Sequence, residues 1–119
     1  AELARMQARP MHLPMPRDAR AIRVARALLS QPDADGNLDD WAERSGASRR
    51  TLARLFRLQT GFSFNEWRAR LRAIDGLARL SDGSAVGAAA QSVGYASASA
   101  FTAMVRRSLG AAPRRMVRR

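Results

Sequence analysis

The sequence predicts an all-α fold in which one helix–turn–helix unit occurs twice, the two copies joined by a long central helix. Three observations carry that expectation. No segment shows the period-two apolar alternation of a half-buried strand. Apolar residues recur instead at helical spacing between recognisable caps and breakers. A shift of 48 to 49 residues then lays the second half of the chain on the first.

Taken in order, residues 1–17 hold Pro10, Pro14 and Pro16 with Met11, His12 and Met15 between them, which favours an extended tether over a helix. Asp18 is a good N-cap, and Ile22, Ala25 and Leu29 recur at helical spacing until Pro32 stops the first helix. Pro32 to Asn37 is a turn. Asn37 caps a second helix, with Asp40 three residues on, and Leu38, Trp41 and Ala42 face inward until Gly46. Ser48 caps a third helix, whose buried stripe is Leu52, Leu55 and Phe56 and which ends near Gly61.

Ser63 and Glu66 form a capping box, and Phe62 and Trp67 are placed to close a hydrophobic staple around it. The fourth helix that follows carries Phe64, Trp67, Leu71, Ile74 and Leu77 or Ala78 on one face, with Arg68, Arg72, Asp75 and Arg79 on the rest. Gly76 interrupts it at a cost of about 1 kcal/mol relative to alanine, which points to a close approach there. Ser84 is the expected cap of an alanine-rich fifth helix running to Ser92, and Gly94 breaks it. Ser97 opens a sixth, with Phe101, Met104, Val105 and Leu109 inward, closed by Gly110 to Pro113; the tail Arg114–Arg119 adds a last helical turn.

The repeat is specific. At a shift of 48, Leu38 falls on Val86, Ala42 on Ala90 and Gly46 on Gly94; at 49, Leu52 falls on Phe101, Leu55 on Met104, Phe56 on Val105, Arg57 on Arg106 and Gly61 on Gly110. A small residue at Ala42 or Ala90 lets two helices cross closely, and Gly46 or Gly94 can take the positive φ that a tight turn after a helix demands. With the stripe buried, the third helix presents Arg50, Ala53, Arg54 and Arg57 outward, a face that fits a major groove. The central helix of about 18 residues spans roughly 27 Å, close to the 34 Å or so of one DNA turn.

Composition agrees. A chain of 119 residues, 46% hydrophobic, suits one compact domain or two small lobes sharing a connection. There is no cysteine, which excludes disulfides and cysteine metal sites and suits a reducing interior. No apolar run reaches the length of a signal peptide core or a membrane span. The formal net charge is +11, every basic residue is an arginine, and all ten acidic residues fall at or before Asp82. Such a field points to a polyanion, of which nucleic acid is the commonest; a solubilising surface or an anionic-membrane binder are the blander readings. Beginning on Ala1, the sequence reads as a piece of something longer.

GASRRTLARLF (46–56) with TGFSFNEWRARLR (60–72), and AAAQSVGYASASAF (88–101) with LGAAP (109–113), together resemble the DNA-binding domain of the AraC/XylS family of bacterial transcription regulators, over about residues 18 to 116. The resemblance implies about seven helices in two homeodomain-like tri-helical lobes, with recognition helices in adjacent major grooves. Residues 18–62 would be the first lobe, 63–80 the connecting helix and 84–116 the second lobe of a DNA-binding domain covering 18–119. It also implies an N-terminal or separate sensing region, for which residues 1–17 would be the linker; HLPMPRDARAIR (12–23) is similar to junctions in members whose sensor is a small cupin-like β-barrel. A small-molecule effector would act only through that region. The family commonly has phenylalanine where Val105 stands and tyrosine near Met116, which implies a slightly looser second lobe.

Carried over position by position, the family's base-reading sites on the first recognition helix fall on Arg50, Ala53 and Arg54. An arginine fork donates twice to guanine O6 and N7, a contact worth about 1 to 3 kcal/mol of discrimination. Arg49 and Arg57 are the expected phosphate contacts beside it. The equivalent outward positions of the second lobe are Ala98, Ser99, Thr102 and Ala103, of which Ser99, Thr102 and Ala103 are the expected base contacts; none makes such a fork. Arg106 and Arg107 would anchor the backbone there, and the helix N-termini at Ser48 and Ser97 would clamp phosphates.

The remaining candidates read plainly. Trp41 and Trp67 lie on apolar stripes and are core. His12 has no second histidine or cysteine beside it, so no metal, cofactor or catalytic role is expected. Met11 and Met15 suit either packing against the missing sensor or an unstructured tether. Arg68, Arg70, Arg72 and Arg79 read as a solvated helix face, and Arg114, Arg115, Arg118 and Arg119 as a basic tail adding affinity without specificity. No nucleophile with a histidine base, glycine-rich phosphate loop or paired carboxylate argues for an enzyme. The expectation is a monomeric, cytoplasmic, nucleoid-associated reader of operator or promoter duplex, with no membrane role and RNA polymerase as a further partner; the competing reading is an adaptor whose lobes bind protein, such as a polymerase subunit.

Overall fold

The computed structural model describes residues 12–110. Among them are six helices and no strand: α1 Ala19–Ser30, α2 Leu38–Ser45, α3 Arg49–Thr60, α4 Phe64–Ser81, α5 Val86–Ser92 and α6 Ala98–Leu109. The helical turn expected over Arg114–Arg119, the Pro113 stop, Met116, and Pro10 and Met11 lie outside the described residues. The described residues divide into two compact units, one of Pro14–Arg68 and one of Ala69–Gly110 with His12 and Leu13; α4 runs through the division.

In the first unit the expected caps form. Asp18 accepts the Arg20 amide, and Asn37 and Asp40 make a reciprocal capping box. Gly46 closes α2 at φ 81° and the chain re-enters helix at Ser48, whose hydroxyl accepts the Thr51 amide. α1 packs on α2 and α3. Its buried stripe is Ala21, Val24, Ala25 and Leu28; of the expected Ile22, Ala25 and Leu29 only Ala25 is buried, whereas Ile22 is half-buried and Leu29 is 43% exposed. ARAIRVARALL carries apolar residues on two adjacent faces, and burial selects the one whose alanines allow close approach. Leu52, Leu55 and Phe56 are buried as expected, and Phe56 meets the edges of Phe64 and Trp67 at 5.6 and 5.5 Å. Trp41 is core, with its indole N–H buried beside Gly36 and without an acceptor among the described residues.

In the second unit the core is Ala73, Leu77, Ala90, Val93, Phe101, Met104 and Val105, with Leu80, Tyr95 and Leu109 packed against it. Ala73, not Ile74, takes the buried position on α4, and Ala78 is exposed where Leu77 is buried. Ser84 does not cap α5. The cap position is Ala85 and no side chain bonds there. Ser84 belongs to the end of α4 instead, where the Gly83 amide bonds to the Leu80 carbonyl and the Ser84 amide to that of Arg79, a Schellman closure. The same closure ends α5, with the Gly94 and Tyr95 amides on Gln91 and Ala90 and Gly94 at φ 94°. Ser97 then caps α6 by accepting the Ala100 amide.

Candidate nucleic-acid interface

The first face is built by the stripe opposite it. With Leu52, Leu55, Phe56 and Thr60 buried, α3 turns Arg49, Arg50, Arg54 and Arg57 to solvent and leaves Ala53 half-buried between them. Among the described residues Arg50 and Arg54 have no acidic partner. Arg49 meets Asp39 at 3.3 Å, but both side chains are 68% exposed, so the pair is weak and exchangeable. Arg57 lies near Glu66, whose carboxyl is held below its ordinary value first by the Ser63 amide, then by the Ser63 hydroxyl, and least by the Arg57 charge.

Ser48 is exposed at the start of this helix. Its hydroxyl is committed to Thr51, whose amide it accepts and whose own hydroxyl it donates to, and its carbonyl accepts the Leu52 amide. What the N-terminus offers an anion is therefore the amides of Arg49 and Arg50, which have no intrahelical acceptor, and the positive end of the helix dipole. The serine hydroxyl is not part of that offer. In the second unit the Ser97 hydroxyl oxygen accepts the Ala100 amide.

The second face is chemically different. Phe101, Met104 and Val105 are buried, which leaves Ser99, Ala103, Arg106 and Arg107 exposed and Ala98 and Thr102 half-buried on α6. Val105 is fully buried in the core cluster although it is smaller than the phenylalanine the resemblance implies. The basic residues of α6 stand in its last turn only, whereas those of α3 run its whole length.

Of the arginines expected to form a solvated face on α4, Arg79 is exposed, but Arg68, Arg70 and Arg72 are half-buried. Arg68 donates to the Gly36 carbonyl at 2.6 Å and lies over the Phe64 ring. Arg70 donates to the His12 carbonyl at 2.6 Å and to that of Ser108 at 3.3 Å, and burial pulls its pKa below the ordinary guanidinium value. Arg72 lies over Tyr95, and Arg79 pairs with Asp75 at 3.0 Å. Arg68 and Arg70 tie together parts of the chain far apart in sequence, and no local pattern announces a carbonyl 32 to 58 residues away. Gln59 is equally silent in the sequence: its side-chain oxygen accepts the Arg17 and Asp18 amides at 2.7 and 2.9 Å.

A family model described as a helix-turn-helix domain, of AraC/XylS type, matches residues 41–119. The chain belongs to the AraC/XylS-type helix-turn-helix family. Among its family relatives are the HTH-type transcriptional regulators RipA of Corynebacterium glutamicum, 43% identical over 101 residues, and NimR of Escherichia coli, 34% identical over 118. Those matches cover 85% and 99% of this chain but 30% and 43% of the relatives, so this AraC/XylS-type chain spans less than half of their length. The DNA-binding domain of AdpA, crystallised with a target DNA, is 28% identical with a TM-score of 0.70, covering 81% of this chain and 87% of that one. An AraC-type transcriptional regulator from Chromobacterium violaceum shares the fold at a TM-score of 0.74 and 21% identity, over 82% of this chain and 88% of that one. Among the described residues of this family member no helix is long and apolar enough to cross a membrane, and no group of three metal-ligating side chains stands together.

Proposed function

We propose that the chain binds duplex DNA sequence-specifically as the DNA-reading part of a bacterial transcription regulator, with α3 and α6 entering successive major-groove segments. The observation that carries this reading is the row of exposed guanidinium groups on α3, Arg49, Arg50, Arg54 and Arg57, backed by the buried stripe of Leu52, Leu55 and Phe56. Arg50 and Arg54 read bases, with Ala53 between them; Arg49, Arg57 and the amides after Ser48 hold phosphates. On α6, Ser99, Thr102 and Ala103 make short contacts to bases while Arg106, Arg107 and the amides after Ser97 anchor the backbone. The AdpA domain, at 28% identity, lends support because it was crystallised on DNA.

In this reading residues 18–62 and 84–116 are the two lobes, 63–80 joins them, and residues 1–17 lead in from a sensing region through which any effector acts. One monomer then supplies both readers, no enzyme chemistry is involved, and the site of action is the cytoplasmic nucleoid. The test is binding to a footprinted operator as a function of salt. Contact with six or more phosphates predicts a loss of about three orders of magnitude between 50 and 200 mM salt. A shallow dependence, or capture of a polymerase subunit without DNA binding, favours the adaptor reading instead.

A further inference from the structure

The buried stripe of α3 runs through Leu52, Leu55, Phe56 and Thr60, and Gln59, seven residues after Leu52, lies half-buried at its edge. A polar side chain half-buried at that edge needs a hydrogen-bond partner. What it touches is the segment leading into α1. The Gln59 side-chain oxygen accepts the Arg17 amide at 2.7 Å and the Asp18 amide at 2.9 Å. The same segment is held from α4, where the Trp67 indole N–H donates to the Pro14 carbonyl at 2.7 Å, and Pro16 between these anchors is buried. Residues 14–18 thus form a strap across the end of the helix that carries Arg50 and Arg54.

We propose that Gln59 is a positioning residue for base reading by α3: by holding the Arg17 and Asp18 amides it fixes the last turn of the helix to the strap, and with it the aim of Arg54 within a turn and a half. Apolar packing alone tolerates a helix sliding or rolling by a fraction of an ångström, because dispersion contacts are many and non-directional. Hydrogen bonds are directional and weaken steeply when bent, so a doubly bonded oxygen sets the roll of the helix. A bidentate arginine contact needs that setting. The inference rests on the reading of α3 as a DNA reader.

The experiment compares Gln59→Met, similar in length but without a strong acceptor, with Gln59→Glu, which keeps an oxygen in the same place. The readout is the ratio of affinities for the operator and for the operator altered at the base pair opposite Arg54. That ratio is indifferent to the extra negative charge that Q59E introduces, which lowers all affinities alike, and to stability at a temperature well below melting. Q59M is expected to lower the ratio about fivefold, part of what an arginine fork supplies, and to speed exchange of the Arg17 and Asp18 amides in the free protein; Q59E is expected to preserve both. If Q59M does not fold, Pro16→Gly loosens the strap from its other side and is expected to give the same loss. DNA binding by Q59M with undiminished discrimination overturns this inference alone. Absence of DNA binding by the unaltered chain overturns the reading of α3 as well.

Discussion

Gly76 lies directly under the ring of Phe101: the space that a Cβ on residue 76 would need is occupied by the Cε1 and Cζ atoms of that ring. Phe101 is fully buried in the core of the second unit, so it has little freedom to retreat. Gly76→Ala should gain about 1 kcal/mol of helix propensity and lose about 1 to 3 kcal/mol to overpacking, a net destabilisation. Gly87 in α5 is the contrast, with nothing within 4 Å of its added Cβ. Gly87→Ala should therefore raise the melting temperature where Gly76→Ala lowers it. Thermal unfolding of the two variants in one buffer decides the point, and a parallel rise in both would remove the packing argument.

Acid should weaken the first unit through the cap of α4. The Glu66 carboxylate accepts the Ser63 amide at 2.8 Å while Ser63 accepts that of Glu66, and these bonds hold the Glu66 pKa below its ordinary 4.5. A carboxyl with a depressed folded pKa stabilises fully above its unfolded value, and that contribution is lost as pH falls through the folded value. Glu66→Gln keeps an acceptor for the Ser63 amide and loses the titration. Denaturant melts from pH 7 down to about 3 should then show a shallower decline for the variant. Part of the slope remains, because the Arg20 side chain also holds the Asp18 carboxyl low.

What the sequence disclosed were features whose cause is local. Ser48, Ser97, Asn37 with Asp40, and Ser63 with Glu66 cap helices because each bond spans only three residues. Gly46 and Gly94 take positive φ because a turn after a helix requires it, and the repeat placed them independently. The outward face of α3 was legible for the same reason, since a single apolar stripe leaves only one side for Arg50 and Arg54. The phase of α1 was not, because two adjacent faces compete and tertiary contact chooses. Nor was the closure of α4 by Ser84, which either helix could have claimed. The anchoring roles of Arg68, Arg70 and Gln59 depend on backbone groups tens of residues distant. The base-reading roles came from the family resemblance, not from periodicity.

Arg70 shows how charge misleads when partners are carbonyls. Its guanidinium joins the His12 and Ser108 carbonyls, so Arg70→Ala should lower the stability of the second unit by about 1.5 kcal/mol, the low end of the range for hydrogen bonds to a charged group because the side chain is half-exposed. Lysine lacks the fork and should recover only part. Were Arg70 a phosphate contact, its loss would instead reduce the slope of log affinity against log salt by about 0.9. The expectation is an unchanged slope with a lower melting temperature. A reduced slope with unchanged melting would return Arg70 to the DNA surface.

The two faces should divide the work of recognition unequally. Among the described residues Arg54 has no acidic partner, and it projects from the middle of α3, so Arg54→Ala should flatten preference at one base pair, at a cost of about 1 to 3 kcal/mol for the cognate site. Arg57, a turn nearer the C-terminus and already beside Glu66, should when replaced by alanine weaken all sequences alike and lower the salt slope by about 1. Ser99, Thr102 and Ala103 have no comparable fork, so scrambling the half-site under α6 should cost less affinity than scrambling the one under α3. Competition binding with the two scrambled operators measures that difference directly. A greater loss from the α6 half-site would mean that its specificity comes from groove shape or thymine methyl contacts, and that guanidinium count is the wrong guide to which helix reads.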